Sequence, residues 1–110
     1  MMKARLTERE TNDLVVSLEE RRYGRRFTSM ELAQKAGVSL DDVNRVENQL
    51  PIADPQAESR IAKALGVHSD LLNKIAGLEE MSNDELNQLH ACLRQPAGET
   101  PPECERIGLR

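Results

Sequence analysis

The sequence predicts an all-α protein: five helices packed as one small domain, one further amphipathic helix towards the C-terminal end, and a disordered tail. Three observations carry this reading. Apolar residues recur three and four positions apart, without the alternation of a half-buried strand. The core must be aliphatic, since the 110 residues are 38% hydrophobic yet include one Phe, one Tyr and no Trp. Ser, Thr and Asp precede the apolar stripes and Gly follows them, which is the punctuation of short capped helices.

The first helix is expected from residue 8 or 13 to residue 22, so that residues 1–13 form an extension that begins it. Leu14, Val15 and Leu18 make its apolar stripe. Thr7 with Glu10 three residues later has the pattern of a capping box, and Gly24 ends the helix. Arg25 and Arg26 then stay in solvent while Phe27 packs under the next helix. RRYGRR is the one dense basic cluster. It reads either as a solvated helix end, whose cations complement the C-terminal dipole, or as a phosphate clamp.

Residues 28–47, TSMELAQKAGVSLDDVNRVE, hold two short helices joined by a glycine turn. Met30, Leu32, Ala33 and Ala36 fall at helical spacing before Gly37, the residue type that turns left-handed without steric cost. The next helix restarts behind Ser39 as N-cap, with Asp41 and Asp42 in the first turn, where the dipole favours acid. Val43 and Val46 give it an inward face. This is a helix-turn-helix pattern, and in that arrangement the second helix enters a DNA major groove.

Pro51 and Pro55 exclude a regular helix from NQLPIADP. A fourth helix over residues 55–65 buries Ala57, Ile61, Ala64 and Leu65, and Gly66 closes it. A fifth, capped by His68 or Ser69, buries Leu71, Leu72 and Ile75 and stops at Gly77, completing a domain over residues 14–77. Within residues 78–94, Ser82 and Glu85 form another capping-box pattern, and Leu86, Leu89 and Leu93 share one face. That stripe packs on the domain's own flank or serves as a dimer interface. Residues 95–110, rich in Pro, Gly and Glu, read as a disordered acidic tail.

Net charge is −4, but it is not evenly spread. Residues 77–110 hold three basic and seven acidic groups, while residues 14–50 hold six of each. The acid excess therefore lies outside the helix-turn-helix and does not exclude nucleic acid. There is no signal-peptide pattern and no apolar run near eighteen residues, so a cytoplasmic setting without membrane contact is expected. Cys92 and Cys104 are too few for a disulfide scaffold and are expected to be free thiols. His90 and Cys92 on one helix point apart, so no metal site is expected. No cofactor is implied, and no nucleophile–base set suggests an enzyme.

The run ELAQKAGVS, the VNRVEN that follows and the downstream IAKALGV resemble the Cro and lambda-repressor type of helix-turn-helix domain, the XRE family, over about residues 14–76. That resemblance implies a lambda-repressor-like five-helix fold and a transcriptional regulator. Its partners would be double-stranded DNA, read as a palindromic operator, and a second copy of the chain. It also implies site residues. Ser29 and Gln34 match backbone-contacting positions of the second helix. Ser39, Leu40, Asp41, Asn44 and Arg45 fall at groove-facing positions of the third. Thr28, Arg25, Arg26 and Asn48 are candidate phosphate contacts, and Arg22 matches an arginine that pairs with the glutamate at Glu47. Leu40-Asp41-Asp42 and Gln49 depart from the family pattern, which usually has Gln, Ser, Thr or a basic residue at the former and Gly at the latter. The acidic reading helix and acidic tail also admit a second reading, a module of the same fold that binds a protein partner, such as an antitoxin.

Overall fold

The computed structural model describes residues 3–96 and 98–110. Among these, seven helices and one two-residue strand pair form a single packed body. A short β1 (Lys3–Ala4) leads into α1 (Glu8–Tyr23), followed by α2 (Ser29–Ala36), α3 (Leu40–Glu47), α4 (Pro55–Leu65) and α5 (Ser69–Ile75). Then come β2 (Met81–Ser82), α6 (Asn83–Leu93) and α7 (Pro102–Arg106).

The boundaries follow from local chemistry. Thr7, Thr28 and Ser82 each accept from the backbone N–H three residues on, and Glu10, Glu31 and Glu85 close the reciprocal bonds of three capping boxes. Each such box satisfies two helix-end donors that would otherwise face water alone. Gly24, Gly37 and Gly66 end α1, α2 and α4 in left-handed conformation. Gly77 is needed for space as well, because a Cβ there would lie 3.1 Å from the Leu6 carbonyl oxygen and closer still to the Gln49 side chain.

The core is aliphatic, as expected, and centres on fully buried Leu14, Leu18, Val43, Ile61, Leu65, Leu72, Ile75 and Leu89. α2 packs chiefly on α3 and α4, while α1 runs through the middle and meets α3, α4, α5 and α6. Met30, placed by spacing on the inner side of α2, instead points outward and is 55% exposed.

The chain is mostly helical, as expected of an all-α protein, and adds one short strand pair, β1 antiparallel to β2, with Lys3 opposite Ser82 and Ala4 opposite Met81. Two expectations are corrected. The tail is not disordered over the residues described. It contains α7, its Leu109 is completely buried, and it forms a bridge with Val67 reinforced by bonds from His68 N–H to Gly108 and from Arg110 N–H to Gly66. Cys92 and Cys104 are not free thiols but a disulfide joining α6 to α7. Of the two roles open to the leucine stripe of α6, the structure shows packing on the domain's own flank, with Leu89 1% exposed and Leu86 and Leu93 half-buried on the chain's own core. No helix among the described residues is long and apolar enough to cross a membrane.

Candidate nucleic-acid interface

α2, the three residues Gly37 to Ser39 and α3 form one unit. Val38 N–H joins Gly37 N–H in bonding to Ala33, which closes α2, and Ser39 at once caps α3 by accepting from Asp42 N–H. The Ser39 hydroxyl also donates to the Asp42 carboxylate at 2.9 Å. Asp42 is thereby committed to the start of the helix. Asp41 accepts from Arg45 Nε at 3.0 Å one turn later, and Arg45 Nη1 reaches the Pro51 carbonyl at 3.3 Å. Arg45 thus lies along α3 and braces the following loop.

The outward side of the unit carries Gln34, Leu40, Asn44 and Asn48, all exposed. Their side chains make no hydrogen bond within the described residues, so they are the groups free to meet a ligand. Other predicted site residues are engaged. Thr28 is consumed by its capping box, and the Ser29 hydroxyl donates to the Glu47 carboxylate. Arg25 pairs with Glu31 at 2.8 Å and lies over the Phe27 ring, whereas Arg26 is exposed at the mouth of a cleft beside α2. The hydrogen bond from Arg25 and that from Thr28 N–H hold the Glu31 carboxyl below the ordinary range, the backbone bond being the larger cause.

The expected ion pair between Arg22 and Glu47 is absent. Glu47 meets α1 at Asn12, which donates to its carbonyl at 3.2 Å, and at Glu19. Arg22, three residues beyond Glu19, is rotated away towards α4, with its guanidinium 5.8 Å from the Tyr23 ring centroid and against Gly66. Where an ion pair was expected, two carboxylates, Glu19 and Glu47, line one cleft of about 310 Å³ together with Arg26. Glu19 is 2% exposed and accepts from Phe27 N–H at 3.1 Å. Burial pushes its pKa up, the Phe27 bond opposes this, and the charge of Glu47 adds to it against the opposing charge of Arg26.

Sequence reasoning passed over Glu19, yet a signal existed. It lies four residues after Val15, so the apolar stripe of α1, continued one turn, places it indoors. Asn12 and Gln49 were likewise missed as inter-helix links. Gln49, the one non-glycine residue at positive φ (59°) among those described, donates through Nε2 to the Leu6 carbonyl and to Thr11 Oγ1, and Thr11 in turn donates to the Ile75 carbonyl. The departure from glycine after α3 therefore ties the end of α3 to the segment between β1 and α1 and, through Thr11, to α1 and α5.

No family model matches the chain, and neither a curated protein nor a solved structure matches it.

Proposed function

We propose that the chain is a sequence-specific DNA-binding regulator built on a lambda-repressor-like helix-turn-helix domain. In this reading α3 lies in the major groove and two copies of the chain contact half-sites about 34 Å apart. The observation that carries it is the α2–α3 unit. Each helix is capped independently, the turn between them is three residues, and the outer side of α3 presents Leu40 and Asn44 to solvent. Asn can read adenine through a bidentate pair, and an apolar side chain fits a thymine methyl. Arg26 and Asn48 flank them as phosphate contacts. The surface is not strongly basic, since residues 28–48 carry two basic and four acidic side chains, so base contacts supply more of the affinity than the phosphate term does.

The test is fluorescence anisotropy with duplex DNA from upstream of the chain's own coding region, across a range of salt. Asn44→Ala should cost about 1–3 kcal/mol and relax preference at one base position. Arg26→Ala should weaken all sequences alike and lower the salt slope by about one. Unchanged binding in both variants would sink the assignment. Ser29 and Arg45 are poorer probes, because their hydrogen bonds inside the chain would fall with them.

A second reading, a protein-binding module, is favoured by one feature. Met30, Leu40 and Leu50 are exposed on the same α2–α3 region, 55%, 38% and 49% respectively, beside the acid of Asp41. Binding that is indifferent to salt, together with a protein ligand, would favour it over DNA.

A further inference from the structure

Four of the fifteen basic residues converge on one cleft of about 360 Å³, away from the outward side of α3. Arg22 and Tyr23 enter from the end of α1, Lys35 and Ala36 from the end of α2, and Arg60, Lys63 and Ala64 from α4. No carboxylate lines it. Among the described residues none of the four cations forms an ion pair. Arg60 bonds only to the Gly37 carbonyl at 3.2 Å, and the Lys35 ammonium rests 5.0 Å from the Tyr23 ring centroid. The Tyr23 hydroxyl donates to the Ala64 carbonyl, which fixes the ring as a floor between the helices. The other clefts differ in kind. The one beside α2 holds Glu19 and Glu47 with Arg26, and the one between α5 and α7 mixes Lys74 and Arg106 with Asp70, Glu85 and Glu105.

Cations at helix ends have a structural explanation, because they complement the negative end of the helix dipole. Magnitude decides whether that suffices here. α1, α2 and α4 all finish at this cleft, and each end carries roughly half a negative charge. Four full positive charges exceed those three partial ones by roughly two to three units. Arg60, one turn before the end of α4, lies outside the last residues where the dipole acts. An uncompensated excess of this size in a chain of net charge −4 calls for an anionic ligand with at least two charges. Guanidinium groups from opposite walls suit phosphoryl oxygens, which accept bidentate hydrogen bonds, and the two ammonium groups act as point charges between them.

We infer that this cleft is a binding site for a small ligand carrying two or more phosphoryl groups, separate from the α2–α3 face and independent of whether that face reads DNA. Arg22 and Arg60 clasp the phosphoryl oxygens, Lys35 and Lys63 neutralise the remaining charge, and Tyr23 holds the walls apart.

The probe is inorganic triphosphate, titrated into the full chain at low salt and followed by amide chemical shifts. The largest shifts are expected at Lys35, Ala36, Lys63 and Ala64, with affinity falling as salt rises. Lys35→Gln combined with Lys63→Gln should weaken binding by about tenfold or more while the chain stays folded, its melting temperature falling by only the several degrees that loss of two exposed helix-end cations accounts for. Equal affinity in the double variant, or shifts centred on Arg25 and Arg26 instead, overturns the inference. A duplex-DNA arm separates the sources of phosphate. Duplex binding that survives the double substitution supports a small-ligand site, whereas duplex that competes with triphosphate and is lost in the same variant overturns it and assigns the cleft to the nucleic-acid backbone.

Discussion

Glu19 and Gln49 each do something that their residue type does not announce. Glu19 is a buried carboxylate that shares a cleft with Glu47, and burial raises its pKa above the ordinary value. The folded state thus holds this proton more tightly than the unfolded chain does. Ionising Glu19 costs folding free energy, in full above its raised value and progressively less as pH falls towards the ordinary carboxylate value. Glu19→Gln keeps an acceptor for Phe27 N–H and removes the charge. Its thermal unfolding, followed by circular dichroism, should therefore lie above that of the parent at about pH 7 and converge with it near about pH 4. Glu85 runs the other way. The hydrogen bond from Lys74 chiefly holds its pKa down, so its stabilising effect is lost as pH falls through that lowered value. Gln49 accepts a left-handed backbone in return for two hydrogen bonds. Gln49→Ala keeps the strain and orphans the Leu6 carbonyl, at about 1–3 kcal/mol in urea unfolding. Gln49→Gly relieves the strain and should cost less than the alanine.

Helices α1 to α6 are legible in the sequence because their causes are local: an apolar stripe with a side-chain cap at its start in all but α5, joined by an acid three positions on in α1, α2, α3 and α6 and by a glycine stop in α1, α2 and α4. The α2–α3 unit is legible for the same reason, down to Ser39 as the cap and Gly37 as the stop. What the sequence hides is long-range pairing. β1 and β2 are two residues each and about eighty positions apart, and the partner of Arg22 depends on how α1 is rotated against α3, which no periodicity reports. The Pro- and Gly-rich composition of residues 95–102 likewise masks two anchors, Cys104 and Leu109. The disulfide between Cys92 and Cys104 closes a short loop of separation 12 and fixes α7 on α6. Cys92→Ser should destabilise the protein by about 2–4 kcal/mol and make residues 95–110 the first site of limited proteolysis, with the rest of the chain still folded. Cleavage that starts elsewhere would count against the disulfide as what holds residues 95–110 on α6.

At the scale of the molecule, the C-terminal sixteen residues decide whether there is one core or a core with an appendage. Leu109 is wholly buried, in the same cluster as Leu65, Val67 and Leu72, and full burial of a leucine is worth about 1.5–3 kcal/mol. Added to about 2–4 kcal/mol for the disulfide, the segment contributes a large part of the 5–15 kcal/mol or so that holds a domain folded. A chain ending after Arg94 also bares Val67, which Leu109 bridges, and the side of α6 at Gln88 and Cys92 that α7 meets. The truncated chain should therefore melt roughly 15 °C or more below the full one, at about 4–8 °C per kcal/mol for a domain near this size. A polar appendage would behave differently. If the truncated chain melts within about 3 °C of the full one by calorimetry, Leu109 is not part of the working core and the five-helix domain stands alone. The expected drop carries a consequence for the α2–α3 face as well. α5, which the segment braces through Leu71 and Gly108, packs on α1 and α4, the helices against which α2 and α3 are set. Loss of the tail should thus weaken any ligand binding at α3 through a smaller folded fraction, and binding per folded molecule should stay the same.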